Sequence, residues 1–356
     1  MAPPPQGGRN YPLNCWWVAA LADEVGQEPL ARWLLDTPVV LYRGATGEVI
    51  ALEDRCPHRQ APLSAGKVEG DVIECPYHGF RFGPGGRCVH VPSMASPPPI
   101  RVESYPVREI GPIVWIYLGD QQRIDQVPPP PQMDWTTDPA FVMRKGVMPI
   151  AANYLLLKEN VLDLTHLGYV HAASFGIMDW VNPPEVTVDG DRVTYTQDFV
   201  RSPLAAGYAM SLGLAPGMPW NRHGFGTFLS PAAHESGTVF FDPDQPDVPG
   251  GQTFFAHLTT PVDAGNMLYF FVAARDFAND AAAMDHFAQI LMRGFREDEE
   301  ILSKVQALSS RQPRRGSRGE RSVKADAAGV AARRIVDRWM ARETIDDGID
   351  RAATPD

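Results

Sequence analysis

Two short segments constrain this chain more than any others: Cys56-Pro57-His58 and Cys75-Pro76-Tyr77-His78, a C-x-H and a C-x-x-H half-site separated by sixteen residues. Two thiolates and two imidazoles can hold a structural zinc ion, but a zinc finger usually keeps its cysteines in one half and its histidines in the other. Here each half carries one of each. That suits a [2Fe–2S] cluster with both cysteines on one iron and both histidines on the other, provided that the halves cross over. Imidazole ligands raise the potential of such a centre to roughly −150 to +300 mV, where it passes single electrons. The rest of the chain has to supply a recipient.

The flanks, Cys56-Pro57-His58-Arg59-Gln60-Ala61-Pro62-Leu63 and Cys75-Pro76-Tyr77-His78-Gly79-Phe80-Arg81-Phe82, resemble the two cluster loops of the Rieske domain. Gly85 to Pro92 resembles the strand that follows them, with Cys88 and His90 as packing residues and not ligands. The remaining cysteine is Cys15, so no disulfide framework exists, and a thiolate-bound cluster suits a reducing compartment. The first residues lack an apolar signal core and no run approaches membrane-spanning length, so a cytosolic protein without membrane association is expected. A net charge of −11 disfavours nucleic acid as a partner. Arg314, Arg315 and Arg318 cluster locally, either to dock an acidic electron carrier or as a solvated loop.

From Trp16 to Leu118 short apolar runs such as Val39-Val40-Leu41-Tyr42 and Ile113-Val114-Trp115-Ile116-Tyr117 alternate with turns, the pattern of a small antiparallel β domain. Pro128 to Pro131 exclude a helix or central strand, and the boundary is placed there, giving domains at 1–125 and 126–356. The second segment mixes a buried helix at Asn153 to Leu167, strands at Arg192–Phe199, Thr238–Phe241, Thr253–Thr259 and Met267–Ala273, and closing helices at Asp280–Leu308 and Ala325–Glu343. The coarse class is α+β.

Within the buried helix, Asn160, Asp163 and His166 follow at i, i+3 spacing along one stripe. His171 could join His166 only if the helix breaks, and Gly168 offers a place. Two histidines and a carboxylate form the facial triad of non-haem Fe(II) oxygenases, which leaves positions open for O2. The run Glu297-Asp298-Glu299-Glu300 offers the carboxylate. Leu291, Phe295, Leu302 and Val305 make one apolar stripe with Asp298 in its middle; Glu297 and Glu300 project elsewhere. A carboxylate on a buried face is costly unless paired, and a cation would remove that cost. A plain Asp–Arg pair would do so too.

Taken together, the chain resembles the Rieske non-haem iron oxygenases, in particular the oxygenase components of vanillate and dicamba O-demethylases. The resemblance runs from Tyr11-Pro12-Leu13-Asn14-Cys15-Trp16-Trp17-Val18 to the last helix, through both cluster loops, Asn160-x-x-Asp163-x-x-His166-x₄-His171, and Glu297-Asp298 opening a helix that reaches Gln306. It implies a helix-grip catalytic domain, a homotrimeric ring, a Rieske cluster on Cys56, His58, Cys75 and His78, and Fe(II) on His166, His171 and Asp298. It implies further that Asp163 bridges a cluster histidine of the neighbouring subunit to an iron-ligating histidine, and that Asn160 positions the site. No G-x-G-x-x-G follows a strand, so NAD(P)H is expected to act through a separate reductase or ferredoxin. The expected reaction oxidises a small aromatic substrate with O2, by O-demethylation of a methoxylated or carboxylated aromatic. A ring dioxygenase, an N-demethylase and a bare electron carrier are the alternatives. His257 is a candidate substrate contact, with Asn221-Arg222-His223 as weaker ones.

Overall fold

The computed structural model describes residues 10–278, 280–311 and 320–353, so Arg314, Arg315 and Arg318 lie outside the described residues. Two compact units are present: Leu13–Gln132 with Thr260–Asp263, and Met133–Thr259 with Ala264–Asp356 and the first twelve residues. The proline run therefore stays with the first unit, and the division falls after Gln132 instead of at residue 125.

The first unit begins with β1 (Trp16–Leu21), β2 (Leu30–Leu34), β3 (Thr37–Arg43) and β4 (Val49–Glu53). The short strands β5 (Lys67–Glu69), β6 (Val72–Glu74), β7 (Arg81–Phe82) and β8 (Cys88–His90) carry the cluster loops. With β9 (Val107–Ile110) and β10 (Ile113–Tyr117) they form sheets ordered β1-β10-β9, β2-β3-β4 and β5-β6-β7-β8. Every residue of β1 and β10 is buried, which is why both read as unbroken runs of β-branched, aromatic and small residues. Val40, Tyr42, Leu52, Leu63 and Phe82 pack around Cys56 and Cys75, so the core of this unit is built against the two thiols.

In the second unit the elements are β11 (Val142–Ile150), α1 (Tyr154–Leu162), α2 (Leu167–Val170), β12 (Glu185–Asp189) and β13 (Arg192–Pro203). They continue with α3 (Ala206–Ser211), β14 (Pro219–Ser230), β15 (Ala233–Phe241), β16 (Pro249–Pro261) and β17 (Met267–Arg275). Two long helices follow, α4 (Ala281–Ser309) and α5 (Ala327–Ala353). Among the described residues the strands form one sheet, β11-β17-β16-β15-β14-β13-β12, largely a meander of antiparallel hairpins closed by β11 pairing with β17. This is the α+β architecture expected, an antiparallel β domain followed by a sheet gripped by helices. No helix among the described residues is long and apolar enough to cross a membrane.

The helix expected at Asn153–Leu167 is shorter and breaks elsewhere. Asn153 caps its start, with the side-chain oxygen accepting from Leu155 N at 2.9 Å. It ends at Asp163, which turns to φ −127°, ψ 93°. The Asp163 carboxylate then accepts from Thr165 N at 3.0 Å and Thr165 Oγ1 at 2.7 Å, opening a new turn through His166. Gly168 sits inside α2, which stops at His171. The break is thus made by an aspartate capping motif, not by the glycine. On α4, Leu291, Phe295, Asp298 and Leu302 are buried, but Val305 is 36% exposed, so the apolar stripe ends a turn early. The Glu297-Asp298 pair lies in the interior of that helix and does not open it.

Candidate active site

In the first unit, the two cluster loops repeat one backbone design. Cys56 N donates to the Ala61 carbonyl at 2.8 Å and Gln60 N to the Cys56 carbonyl at 2.8 Å; Cys75 N donates to Phe80 O at 2.8 Å and Gly79 N to Cys75 O at 3.1 Å. Gln60 and Gly79, each four residues after its cysteine, take the left-handed conformation at φ 60° and 70°. The cysteines are buried and the histidines exposed, with ring centroids of His58 and His78 4.4 Å apart. Cysteine thus faces cysteine and histidine faces histidine, each pair drawn from both loops, the crossing-over that a Cys₂/His₂ cluster requires. Burial pushes the Cys56 thiol up to about 11 and the Cys75 thiol beside it acts in the same direction, so without a metal to replace the proton the thiol form is favoured. Phe80 stacks on His58 at 4.8 Å. Cys88 is buried in the same core, whereas His90 is exposed and is not part of it.

In the second unit, His166 Nε2, His171 Nε2 and an Asp298 carboxylate oxygen lie within 4.8 Å of one another. The Asp163 break brings His166 round and the end of α2 presents His171, while α4 supplies Asp298. Asp298 Oδ1 stands 3.2 Å from His171 Nε2 and 3.7 Å from His166 Nε2. Each imidazole is anchored through its other nitrogen. His166 Nδ1 donates to the Asp163 carbonyl at 2.6 Å, and His171 Nδ1 to Glu297 Oε2 at 2.9 Å, which assigns both tautomers and leaves both Nε2 lone pairs free for an ion. Donors about 2.1 Å from a shared ion stand about 3 Å apart when mutually perpendicular, so the spacing fits a facial set. Asn160 Nδ2 donates to Asp298 Oδ1 at 3.0 Å, and its own buried Oδ1 has no partner among the described residues. The donor set fits a divalent metal.

Electrostatics separates the two histidines. Burial holds His166 below its ordinary range despite the nearby Asp298 carboxylate. Burial also pulls His171 down, but Asp298 and Glu297 outweigh it and its pKa is raised. Asp163 meets His166 through its main chain, not its carboxylate. Glu297 was expected to project away; it reaches back to His171 and also accepts from Ser174 Oγ at 2.5 Å.

The triad opens on an aromatic-walled cavity of about 150 Å³, partly open to solvent, whose wall includes Phe175, Trp180, Tyr195, Phe225 and Phe255. His257 lines it, with Nδ1 2.7 Å from Tyr269 Oη and Nε2 3.3 Å from Ser236 Oγ. Burial and the charge of Lys158 lower His257 to about 3, so it is a neutral hydrogen-bonding group. Arg222 and His223 are not in this wall. Arg222 is buried in an ion pair with Asp179 and lies 4.3 Å over Phe199, and His223 pairs with Asp198 at 2.7 Å. Asn221 accepts from Arg201 N at 2.8 Å.

Residues 15–106 match the Rieske [2Fe-2S] domain, and residues 150–342, more than half of the chain, match the Vanillate O-demethylase oxygenase C-terminal domain. The chain is a Rieske oxygenase component of the vanillate O-demethylase family. This oxygenase is 33% identical to the iron-sulfur subunit of the toluene-4-sulfonate monooxygenase system of Comamonas testosteroni, over 93% of this chain and 97% of that one. It is 34% identical to the oxygenase component of dicamba O-demethylase from Stenotrophomonas maltophilia, over 76% and 80%. The crystal structure of dicamba monooxygenase bound to 3,6-dichlorosalicylic acid superposes with a TM-score of 0.86 at 29% identity, covering 93% of this chain and 98% of that one. Oxygenase components of this family are oxidoreductases that use O2 and receive electrons from a separate reductase or ferredoxin.

Proposed function

We propose that this oxygenase removes a methyl group from a methoxylated or carboxylated aromatic by monooxygenation, in the cytoplasm and away from membranes. The observation that carries the reading is the convergence of His166, His171 and Asp298 on the wall of an aromatic cavity. In this reading the first unit holds the Rieske cluster on Cys56, His58, Cys75 and His78, and the second holds Fe(II) on His166, His171 and Asp298. When bound, the iron supplies open coordination positions at which O2 is reduced.

The side chains do the rest. The Asp163 carbonyl and the Glu297 carboxylate fix the two imidazoles, and Asn160 fixes the carboxylate oxygen of Asp298. His257, held neutral, can exchange the Ser236 partner of its Nε2 for a polar substituent of the substrate without adding charge. The cavity's aromatic wall offers the substrate ring an apolar surface to pack on. The balance is ArOCH₃ + O₂ + 2e⁻ + 2H⁺ → ArOCH₂OH + H₂O, and the hemiacetal then breaks its CH₂–O(aryl) bond as its hydroxyl proton passes to the phenolic oxygen, giving ArOH and CH₂O. We place the chain in a homotrimeric ring, in which the Asp163 carboxylate of one subunit meets a cluster histidine of the next.

With a surrogate reductase and ¹⁸O₂, methoxylated aromatics should yield formaldehyde and phenol in equal amounts, the phenol retaining its unlabelled oxygen. A diol carrying two labelled atoms would contradict the monooxygenase reading.

A further inference from the structure

The cavity carries a second charged side chain that none of these roles uses. Arg275, the last residue of β17, is 1% exposed and lines the same cavity as the metal triad. Its Nε donates to Met284 Sδ at 3.0 Å and one Nη to the Ala278 carbonyl at 2.6 Å. The guanidinium carbon lies 5.0 Å from the Phe287 ring centre and 5.6 Å from that of Phe277. Among the described residues it forms no ion pair, whereas the other buried arginine, Arg222, is paired with Asp179. A thioether and one carbonyl leave a buried cation far from neutralised. Of the charged groups around it, Asp280 is already the cap of α4, accepting from Ala283 N at 2.9 Å, and Arg144 adds positive potential while bonded to Asp285 at 2.9 Å. Asp280 keeps its charge while capping α4 and favours the guanidinium from a distance, so what the site lacks, among the described residues, is a carboxylate bonded directly to Arg275.

We infer that Arg275 binds an anionic group of the substrate, a carboxylate or sulfonate, at the end of the cavity opposite the oxidised carbon. A guanidinium offers such a group two parallel donors. The length of the substrate follows from α4, which forms one wall of the cavity through Phe287, Ile290, Leu291 and Asp298. Residues 287 and 298 are separated by about 16 Å at a rise of about 1.5 Å per residue. Arg275 lies against the Phe287 end of this wall and Asp298 marks the other, so the substrate we infer is longer than a one-ring acid: two rings, or a ring with a chain. This rests on the cavity being the substrate site of the proposed oxygenase.

The test uses the cluster-replete, iron-loaded protein and four probes: 4-methoxybenzoate, 4′-methoxybiphenyl-4-carboxylate, and the methyl ester of each. Calorimetric Kd values should favour the biphenyl acid over its ester and over 4-methoxybenzoate, on the order of tenfold or more, as expected for a charge-assisted pair. R275Q should abolish the preference for acid over ester while leaving ester binding in place, and R275K should restore part of it. Equal binding of biphenyl acid and ester by the native protein overturns the inference, as does an R275Q variant that weakens both equally, the mark of a structural role. O2 uptake separates the two levels. Oxidation of the probes with no acid preference removes the Arg275 site alone, whereas an intact binding pattern without O2 uptake removes the oxygenase reading and leaves the anion site.

Discussion

Glu297 should govern metal retention although it touches no metal. Its Oε2 accepts from His171 Nδ1 at 2.9 Å and from Ser174 Oγ at 2.5 Å, tying a ring that is 1% exposed to the helix that also carries Asp298. In Glu297→Ala the Nδ1–H loses its acceptor in a buried place, and the ring is free to turn its Nε2 away from the ion. Partners of ligating histidines are typically worth 10–100-fold in metal affinity, about 1.4–2.7 kcal/mol. Glu297→Gln keeps an acceptor oxygen and loses only the charge, so its loss should be smaller. A second signature follows from protonation. Burial lowers the His171 pKa, but Asp298 and Glu297 raise it above the ordinary value of about 6.5, so protons compete with metal from above that pH downward. Removing Glu297 lowers the His171 pKa, so metal binding by Glu297→Ala should be weaker at pH 8 yet less sensitive to acid than in the native protein. Ferrous titrations of metal-free protein between pH 6 and 8 read both effects. Native affinity in Glu297→Ala, or a larger loss in Glu297→Gln than in Glu297→Ala, would refute the reasoning.

Stability should depend on acid through His234 and His257. Both are held below the ordinary histidine range by burial, so the unfolded chain binds protons that the folded one refuses, and stability falls as pH drops below about 6.5. His257→Gln should flatten that slope by about 1.4 kcal/mol per pH unit in urea melts of metal-free protein between pH 6 and 4; an unchanged slope contradicts the assignment. Gly294→Ala would put a Cβ 2.1 Å from Phe175 Cζ, and Phe175 packs 4.6 Å from His171. Such overpacking costs about 1–3 kcal/mol, and both the thermal midpoint and the iron content should fall; an unchanged midpoint would show that the ring yields freely. His58→Cys should move the cluster potential towards the all-cysteine value of about −400 mV by voltammetry, and an unmoved potential would remove His58 from the ligand set.

What the sequence disclosed, it disclosed where the chemistry is local. Cys56 to His58 and Cys75 to His78 are short enough that residue type and spacing nearly fix the loop, and the equivalent left-handed positions at Gln60 and Gly79 show how. Asp298 was legible because a charge interrupts an apolar helical stripe. The sequence is silent where partners come from distant elements. Glycine ends helices cheaply, which makes Gly168 the break the sequence offers, yet Asp163 makes it by accepting from Thr165. Glu297 is one residue, and so about 100° of helical rotation, from Asp298, but a long side chain can reach back across that angle to His171. Arg222 looked available for a substrate because its partner Asp179 is remote in sequence. Arg275 gave no sequence signal, since its burial without a counter-charge depends on strand, loop and helix together.

The most direct test of the account is iron and acid-labile sulfide counted per chain in the native protein and in Asp298→Ala. A Rieske cluster plus one mononuclear site predicts about three irons and two sulfides, falling to two irons with the sulfide and the Rieske spectrum unchanged in Asp298→Ala. Two irons in the native protein, or three surviving the loss of Asp298, would contradict it.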